Sequence, residues 1–285
     1  MSIRQITIIG TGLIGGSFAL ALKRRGFSGQ IVGCDRKPVL ERALKQGIID
    51  EAKAHPVEAA RASQIVVLAT PISGIIDLLK RLGPSLASSK TLITDVGSTK
   101  AEIVKRASEI FGKHVAARFL GGHPMAGKEQ SGVAYADPHL FEKAPWFLTP
   151  TESQNINVGV CGEFVGWLGN IGARIVIINA PEHDRLCAWI SHLPQMLSTT
   201  LAATLVDEYG SGAPLLETSG RALREMTRIA SSPYSIWRDI ALTNKQNLSD
   251  ALLRMEQELA HIRENLDTRE LALEFEKAHQ FKKFG

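Results

Sequence analysis

Three glycines near the start of the chain are spaced to bind the pyrophosphate of a dinucleotide. Gly10, Gly12 and Gly15 follow a short β-branched run and precede a helical pattern, which places them in a turn between a strand and a helix. In such a turn the first glycine permits the tight bend, the second lets the backbone approach the pyrophosphate, and the third lets helix and strand pack closely. The N–H groups at the helix start, including those of Leu13 and Ile14, would then face the phosphates.

An acidic residue at the end of the next strand-like run completes this fingerprint. Asp35 lies twenty residues beyond Gly15, where a carboxylate would bind a ribose 2′-hydroxyl. The same carboxylate would repel a 2′-phosphate and therefore favours NAD. Arg36 beside it is the kind of residue that binds a 2′-phosphate. The sequence thus predicts NAD as the cofactor and leaves NADP open.

A second group of polar residues directly follows apolar runs that are typical of buried parallel strands. Ligands of such sheets bind outside the carboxyl ends of the strands, so these residues are candidates for a site. They are Thr70, Pro71, Asp95, Ser98 and Lys100. His123 lies in the segment 118–132, which is dense in small and polar residues, and its imidazole is a candidate acid or base near neutral pH.

Strands that alternate with helices would form the sheet that positions these residues. The strand-like runs span residues 6–9, 30–34, 65–69, 91–94, 146–149 and 174–178, and beyond Pro181 every pattern is helical. This order predicts an α/β protein with an N-terminal, doubly wound parallel sheet of the Rossmann type and an all-α C-terminal domain. We expect the dinucleotide-binding domain to span residues 1–180 and the helical substrate and dimerisation domain residues 181–285.

Composition excludes several other classes of protein. The chain has 285 residues, 44% of them hydrophobic, and a net charge of +4. Its basic residues are scattered among acids, so nucleic acid is not an expected partner. No apolar run reaches the roughly 18 residues of a membrane span, and no signal-peptide core is present, so we expect a cytoplasmic protein without membrane contact. The three cysteines are an odd number without a close pair, which predicts neither disulfides nor a metal site.

Five motifs, taken in order, resemble one enzyme family. The sequence is similar to the prephenate and arogenate dehydrogenases of tyrosine biosynthesis in the segments GTGLIGGS, DVGSTK, GGHPMAGKEQSG, EHDRLCAWISHLP and TRIASSPYSIWRDI. The resemblance spans about residues 6 to 240. It implies an NAD-linked oxidative decarboxylation of prephenate to 4-hydroxyphenylpyruvate, or alternatively of arogenate to tyrosine, and no residue of the sequence decides between these two anionic substrates.

The resemblance also implies roles for individual residues. His123 would accept the proton of the substrate's 4-hydroxyl group, and Ser98 would bind near that hydroxyl or orient His123. Arg228 would bind a substrate carboxylate, for which a forked guanidinium is well matched. The other candidates for the substrate pocket are Lys100, Glu129, His192 and Trp237. A solvated Lys100 in the first turn of a helix, a surface Glu129 and a Trp237 in the hydrophobic core are the open alternatives.

Two other functions remain possible from the sequence. A β-hydroxyacid dehydrogenase would share the N-terminal fold and the helical second domain but would leave the HPMAG and SHLP motifs unexplained. A nucleotide-binding protein without catalysis would not require His123, Ser98 and Arg228 together. The enzyme is therefore the favoured interpretation.

A heptad pattern near the C-terminus predicts self-association. Apolar residues recur at alternating spacings of four and three, at Leu248, Leu252, Met255, Leu259, Ile262 and Leu266. Such a seam packs a helix within its own domain or joins two subunits. Because closed two-fold dimers are common, we expect a homodimer through the helical domain.

Overall fold

Eight strands form one sheet in the part of the chain that the computed structural model describes, which is residues 3–86, 88–210 and 213–283. The strands are β1 (Gln5–Ile9), β2 (Gln30–Cys34), β3 (Glu51–Lys53), β4 (Ile65–Leu68), β5 (Leu92–Asp95), β6 (Phe119–Pro124), β7 (Pro145–Thr149) and β8 (Arg174–Ile177). Their order across the sheet is β3-β2-β1-β4-β5-β6-β7-β8.

Helices connect most of these strands and form most of the chain after the sheet. In the sheet region they are α1 (Leu13–Arg24), α2 (Lys37–Lys45), α3 (Pro56–Ala60), α4 (Ile72–Ser85), α5 (Ala101–Phe111), α6 (Val115–Arg118) and α7 (Gly159–Asn170). After the sheet come α8 (Ala180–Cys187), α9 (Leu193–Tyr209), α10 (Ala213–Thr218), α11 (Arg221–Thr227), α12 (Tyr234–Thr243), α13 (Lys245–Glu264) and α14 (Arg269–Lys282). None of the described helices combines the length and the apolar character needed to cross a membrane.

The sheet confirms the predicted fold class, with one correction to its direction. Strands β1 to β6 are parallel, but β7 pairs with β6 in the antiparallel direction and β8 pairs with β7 in parallel. An antiparallel neighbour needs no crossover helix, and only irregular chain with a short 3-10 turn at Val133–Tyr135 joins β6 to β7. The strand order reverses between β1 and β4, which is where such sheets bind ligands.

Both faces of the sheet are covered, as the continuous apolar runs predict. Alternate residues of one strand belong to two separate buried clusters: Ile6 and Ile8 of β1 pack in one, and Ile9 packs in the other. The first cluster centres on the ring of Phe18, which contacts those of Phe141, Trp146 and Phe164. The sheet is therefore a rigid platform for the residues at its carboxyl edge.

Strand β6 was not predicted from the sequence, because its glycines make the strand pattern unrecognisable. Gly121 and Gly122 break the apolar pattern of this segment. A Cβ atom on Gly121 would lie 2.2 Å from Oγ1 of Thr149, and one on Gly122 would lie 2.7 Å from the carbonyl oxygen of Asp95. The strand can pair on both sides only because these side chains are missing, and it places His123 on a strand.

The segment after the sheet is helical, as predicted, but it is not one regular helix. Helix α8 ends at Cys187, a π-helical turn spans Ala188–His192, and α9 begins at Leu193. Proline cannot donate a backbone hydrogen bond and clashes with the preceding turn, so the helix widens ahead of it. His192 is the last residue of the widened turn and is thereby directed into the interior.

Candidate active site

The glycine turn has the geometry that a dinucleotide requires. Gly10 has φ +97°, a conformation that side chains rarely adopt, and a Cβ on Gly15 would lie 2.0 Å from the carbonyl oxygen of Gly10. In contrast, the space at Gly12 is open, with no atom within 4 Å of where its Cβ would be. Gly12 precedes α1 without a side-chain cap, so the first N–H groups of the helix remain available for an anion.

Two clefts meet at Thr70 along the carboxyl edge of the sheet. The first, the Asp35 cleft, has a volume of about 540 Å³ and is lined by Gly10, Asp35, Arg36 and Thr70, among others. The second, the Ser98 cleft, has a volume of about 370 Å³. Its walls come from residues 12–14, 69–72, 96–98 and 128–132 of the sheet region and from α12. Together they form a groove across the point where the strand order reverses.

The carboxylate of Asp35 is already oriented for a ribose. The backbone N–H of Thr11 donates to its Oδ2 at 2.8 Å, and the N–H of Arg36 donates to its Oδ1 at 2.7 Å. The hydroxyl group of Thr11 also donates to Oδ2, at 3.4 Å, whereas Oδ1 keeps a further lone pair for a ligand. The backbone of the glycine turn therefore holds the predicted ribose ligand in place.

Asp184, from the helical part of the chain, organises a buried polar network. The N–H groups of Lys100 and Ala101 donate to its two oxygens at 2.6 and 2.9 Å, so that the carboxylate caps the N-terminus of α5. Its Oδ1 also lies 2.8 Å from Nδ1 of His183, and Nε2 of His183 lies 2.9 Å from Nδ1 of His123. These contacts connect the helix N-terminus to the candidate base.

The network determines which nitrogen of His123 is free. The carboxylate of Asp184 only accepts, so His183 donates from Nδ1 and, with one proton per neutral ring, accepts at Nε2. His123 must then donate from Nδ1, which leaves its Nε2 with an unprotonated lone pair. Burial lowers the pKa of His123 well below its usual 6.5, and the positive charge of Lys100 lowers it further. His123 is thus held as a neutral base.

Lys100 is not solvated, which corrects the alternative of an exposed lysine in the first turn of a helix, and it bonds to the strand that carries His123. Its side chain has no accessible surface. The ammonium group donates to Asp95 and to the carbonyl oxygen of Gly122, the latter at 2.7 Å. Burial lowers the pKa of Lys100, although the carboxylate of Asp95 opposes that change. Lys100 therefore ties the β5–α5 connection, which carries Ser98, to the strand that carries His123.

The structure does not place His192 in the cleft, contrary to expectation. Its side chain is fully buried, its ring packs edge-on against Trp237 with centroids 6.0 Å apart, and its Nδ1 lies 3.2 Å from the amide nitrogen of Asn244. The same amide donates to the carbonyl oxygen of Asp184 at 2.7 Å. Trp237 packs at the edge of the hydrophobic core, which agrees with the open alternative for it. His192 thus belongs to the network of Asp184.

Arg228 and Glu129 meet at the rim of the Ser98 cleft. Nη1 of Arg228 lies 3.2 Å from Oε1 of Glu129, and the two side chains are 64% and 51% exposed. An ion pair this exposed contributes little stability and exchanges readily for another anion. Glu129 lines the cleft, as do Ser98, Thr70 and Pro71, whereas His123 is 7% exposed and lies outside its lining residues.

Sequence reasoning missed three residues of this site: His183, Asp184 and Asp239. Asp239 accepts from the N–H and the hydroxyl group of Ser73 at 2.9 and 2.7 Å and so caps α4 from α12. In the sequence, Asp184 is indistinguishable from an acid that stabilises the start of its own helix, because acids are common there. Only the docking of the helical part on the sheet reveals that both carboxylates cap helices of the other part.

Comparison with known proteins gives one consistent family. The model of the prephenate dehydrogenase nucleotide-binding domain matches residues 18–177, and the model of the prephenate dehydrogenase dimerization domain matches residues 179–278. The chain is 39% identical over 244 residues to the prephenate dehydrogenase of Lactococcus lactis and 34% identical over 259 residues to that of Bacillus subtilis. These alignments cover 85% and 90% of this chain but about two thirds of the relatives' length, 66% and 69%.

A solved structure is similar over the whole chain. It is the crystal structure of prephenate dehydrogenase from A. aeolicus in complex with hydroxyphenyl propionate and NAD+. The TM-score is 0.86 at 33% identity, and the superposition covers 100% of this chain and 98% of the other.

Burial of His192 predicts a loss of stability in acid. Burial lowers the pKa of His192 from 6.5 to about 4. Between these values the unfolded chain binds a proton that the folded chain does not, so stability falls as the pH drops through this window. The difference corresponds to about 3 kcal/mol. We expect His192→Gln to lose less unfolding free energy than the unmodified chain when urea unfolding is compared at about pH 7 and about pH 4.

The exposed His114 provides the control for this measurement. His114→Gln should keep the acid sensitivity of the unmodified chain, because His114 is exposed and its replacement leaves the buried His192 in place. Equal acid sensitivity of the His192 and His114 variants would contradict the burial of a neutral His192.

Proposed function

Because the chain belongs to the prephenate dehydrogenase family, we propose that it catalyses the NAD-dependent oxidative decarboxylation of prephenate to 4-hydroxyphenylpyruvate. One observation carries the proposal: a buried chain of hydrogen bonds from Asp184 through His183 leaves Nε2 of His123 free. The connection that carries Ser98 is tied to the same strand and lines a dinucleotide-sized groove. The site therefore combines a neutral base with a place for a hydride acceptor.

The residues of the groove fit NAD. The open space at Gly12 and the uncapped start of α1 suit a pyrophosphate, and Asp35 suits the adenosine ribose. When bound, NAD accepts the hydride that the substrate loses. Gly10, Gly15, Thr70 and Pro71 act by shaping the groove, and Leu13 and Ile14 by the N–H groups of the first helical turn. Arg36 lies beside the ribose position, where it tolerates NADP in part.

The proton of the substrate's hydroxyl group goes to His123. As the carbon that bears the hydroxyl loses a hydride, the oxygen becomes a carbonyl, and Nε2 of His123 takes its proton. A base whose pKa is held low by burial releases that proton easily afterwards. Ser98 lines the cleft and positions the hydroxyl. The ring carboxylate then leaves as carbon dioxide, and the electrons of the broken bond make the ring aromatic. The former carbonyl oxygen, now a phenolate, takes up a proton and becomes the hydroxyl group of the product.

Arg228 binds the carboxylate of the substrate that stays. In the free protein its guanidinium pairs with Glu129 at the cleft rim. A substrate carboxylate can replace Glu129 as the partner of this exposed group, and a bidentate pair fixes the orientation of the ring. Glu129 then shapes the entrance. The remaining candidates act indirectly: Lys100 holds Asp95 in place, and His192, which packs on Trp237, supports Asp184 through Asn244.

The proposal also assigns the two domains. Residues 1–180 form the dinucleotide-binding domain, and the helical part, residues 181–285, joins two subunits into a homodimer. Large apolar side chains are more than half exposed on three of its helices: Tyr234 and Leu242 on α12, Leu253 and Leu259 on α13, and Phe275 and Phe281 on α14. Exposed apolar surface of this extent is typical of an interface between subunits. The three unpaired cysteines support the cytoplasm as its compartment.

The direct test of this function is an absorbance assay of nicotinamide reduction with prephenate or arogenate and with NAD or NADP. We expect turnover with prephenate and NAD, and His123→Asn should lower kcat by roughly 10²–10⁴ while NAD affinity persists, because only the proton acceptor is lost. His114→Asn, at an exposed site, is the matched control. Turnover with arogenate alone would reassign the substrate, and near-normal turnover of His123→Asn would remove its role as base.

Arg228→Ala should act on substrate binding. Hydrogen bonds to a charged group contribute about 1.5–3 kcal/mol, so KM for prephenate should rise roughly 10- to 100-fold with a small change in kcat. Arg221→Ala is the control, because Arg221 is 91% exposed and pairs with Glu225 of its own helix. An Arg228 variant with unaltered KM would contradict the contact with the substrate carboxylate.

Sedimentation velocity tests the dimer. We expect the mass of two chains at micromolar concentration, and Leu259→Glu on the exposed side of α13 should raise the dissociation constant at least tenfold, since it would bury a charge. Leu44→Glu, on α2 of the sheet region and 43% exposed, should leave the dimer intact. A monomer at every concentration would overturn this arrangement.

A further inference from the structure

Three buried atoms that bind metals lie together beside the candidate base. Nε2 of His183 is 2.9 Å from Nδ1 of His123 and 3.4 Å from Sγ of Cys187, and the sulfur is 4.0 Å from Nδ1 of His123. The three residues are almost entirely buried. His183 and Cys187 are four residues apart on α8, so they face the same side of that helix. The hydrogen-bond chain of the proposed mechanism uses both histidines and leaves the thiol without a task.

The triangle of atoms has the size of a zinc site. With Zn–N distances of about 2.0–2.1 Å and a Zn–S distance of about 2.3 Å, a tetrahedral ion separates two nitrogens by ~3.3 Å and nitrogen from sulfur by ~3.6 Å. The observed separations of 2.9, 3.4 and 4.0 Å differ from these by a few tenths of an ångström. Small rotations of the side chains are therefore sufficient to admit the ion.

The surroundings of the triangle also suit a zinc ion. Histidines that bind zinc usually donate their other N–H to a carboxylate, which fixes the ring and raises its basicity. Asp184 already provides this contact to Nδ1 of His183 at 2.8 Å. The positive ammonium group of Lys100 would repel a cation at this place, but its charge is compensated by the carboxylate of Asp95, with which it pairs. The local charge is therefore compatible with a cation.

We propose that Nδ1 of His123, Nε2 of His183 and Sγ of Cys187 form a reversible zinc site, completed by a water molecule, that holds the enzyme inactive. Zinc displaces the proton of the Cys187 thiol to solvent, and the proton on Nδ1 of His123 moves to Nε2 of the same ring; nothing is oxidised or reduced. His123 then carries a proton where it must accept one. Zinc binding and proton transfer from the substrate are mutually exclusive.

Only the inhibitory half of this inference rests on the proposed function, so binding is measured separately. Co²⁺ serves as the spectroscopic probe for zinc, because a thiolate ligand gives a charge-transfer band in the near ultraviolet. We expect one Co²⁺ per chain with this band, loss of the band in Cys187→Ser and in Cys187→Ala, and its retention in Cys161→Ser, whose cysteine lies on α7 outside the triangle. Near-ultraviolet circular dichroism verifies that each variant folds.

The two halves fail in different ways. A missing band in the folded unmodified chain, or a band that persists without Cys187, overturns the site whether or not the chain oxidises prephenate. Zinc should inhibit the unmodified chain and Cys161→Ser, a chelator should restore activity, and the Cys187 variants should need at least tenfold more zinc for the same inhibition. Full activity with the site saturated would overturn the inhibition and contradict Nε2 of His123 as the proton acceptor.

Discussion

The carboxylate of Asp184 at the N-terminus of α5 is the contact on which the site depends. It satisfies two N–H groups that the helix itself cannot pair, and it orients His183 and, through it, His123. Asp239 similarly caps α4, where it accepts from the N–H and the hydroxyl group of Ser73. Two carboxylates of the helical part thus cap two helices of the sheet region. Because Asp184 also contacts His183, the packing of the helical part on the sheet orients His123 as well.

A buried ion pair positions the other half of the site. Lys100 and Asp95 are both inaccessible to solvent, and such pairs contribute little net stability because desolvation offsets their attraction. Their value here is geometric: Lys100 also bonds to Gly122, and the N–H of Gly97 donates to Asp95 at 2.8 Å. The connection that holds Ser98 and the strand that holds His123 are thereby locked together. Burial of so many polar groups in turn keeps the histidines neutral.

The fold was largely readable in the sequence. Short apolar runs alternate with helical patterns, and buried strands such as β4 have the continuous apolar composition that this environment requires. The glycine fingerprint was equally legible, because steric needs at Gly10 and Gly15 leave no alternative residue. Strand β6 was not predicted, because its glycines interrupt the apolar pattern. These glycines leave room for Thr149 and Asp95, which are distant in sequence.

The sequence by itself determined the fold class and predicted the dinucleotide groove, since these follow from local spacing and residue type. His123 became the candidate base only through the resemblance of its motif to a known family. The tertiary structure decided which polar side chains are buried and which hydrogen-bond partners they have. Lys100 and His192, which were expected at the substrate pocket, are buried in a network of hydrogen bonds whose centre is Asp184. Spacing along the chain gives no access to such contacts, because hydrogen bonds between residues 84 or 60 positions apart exist only once the helical part packs on the sheet.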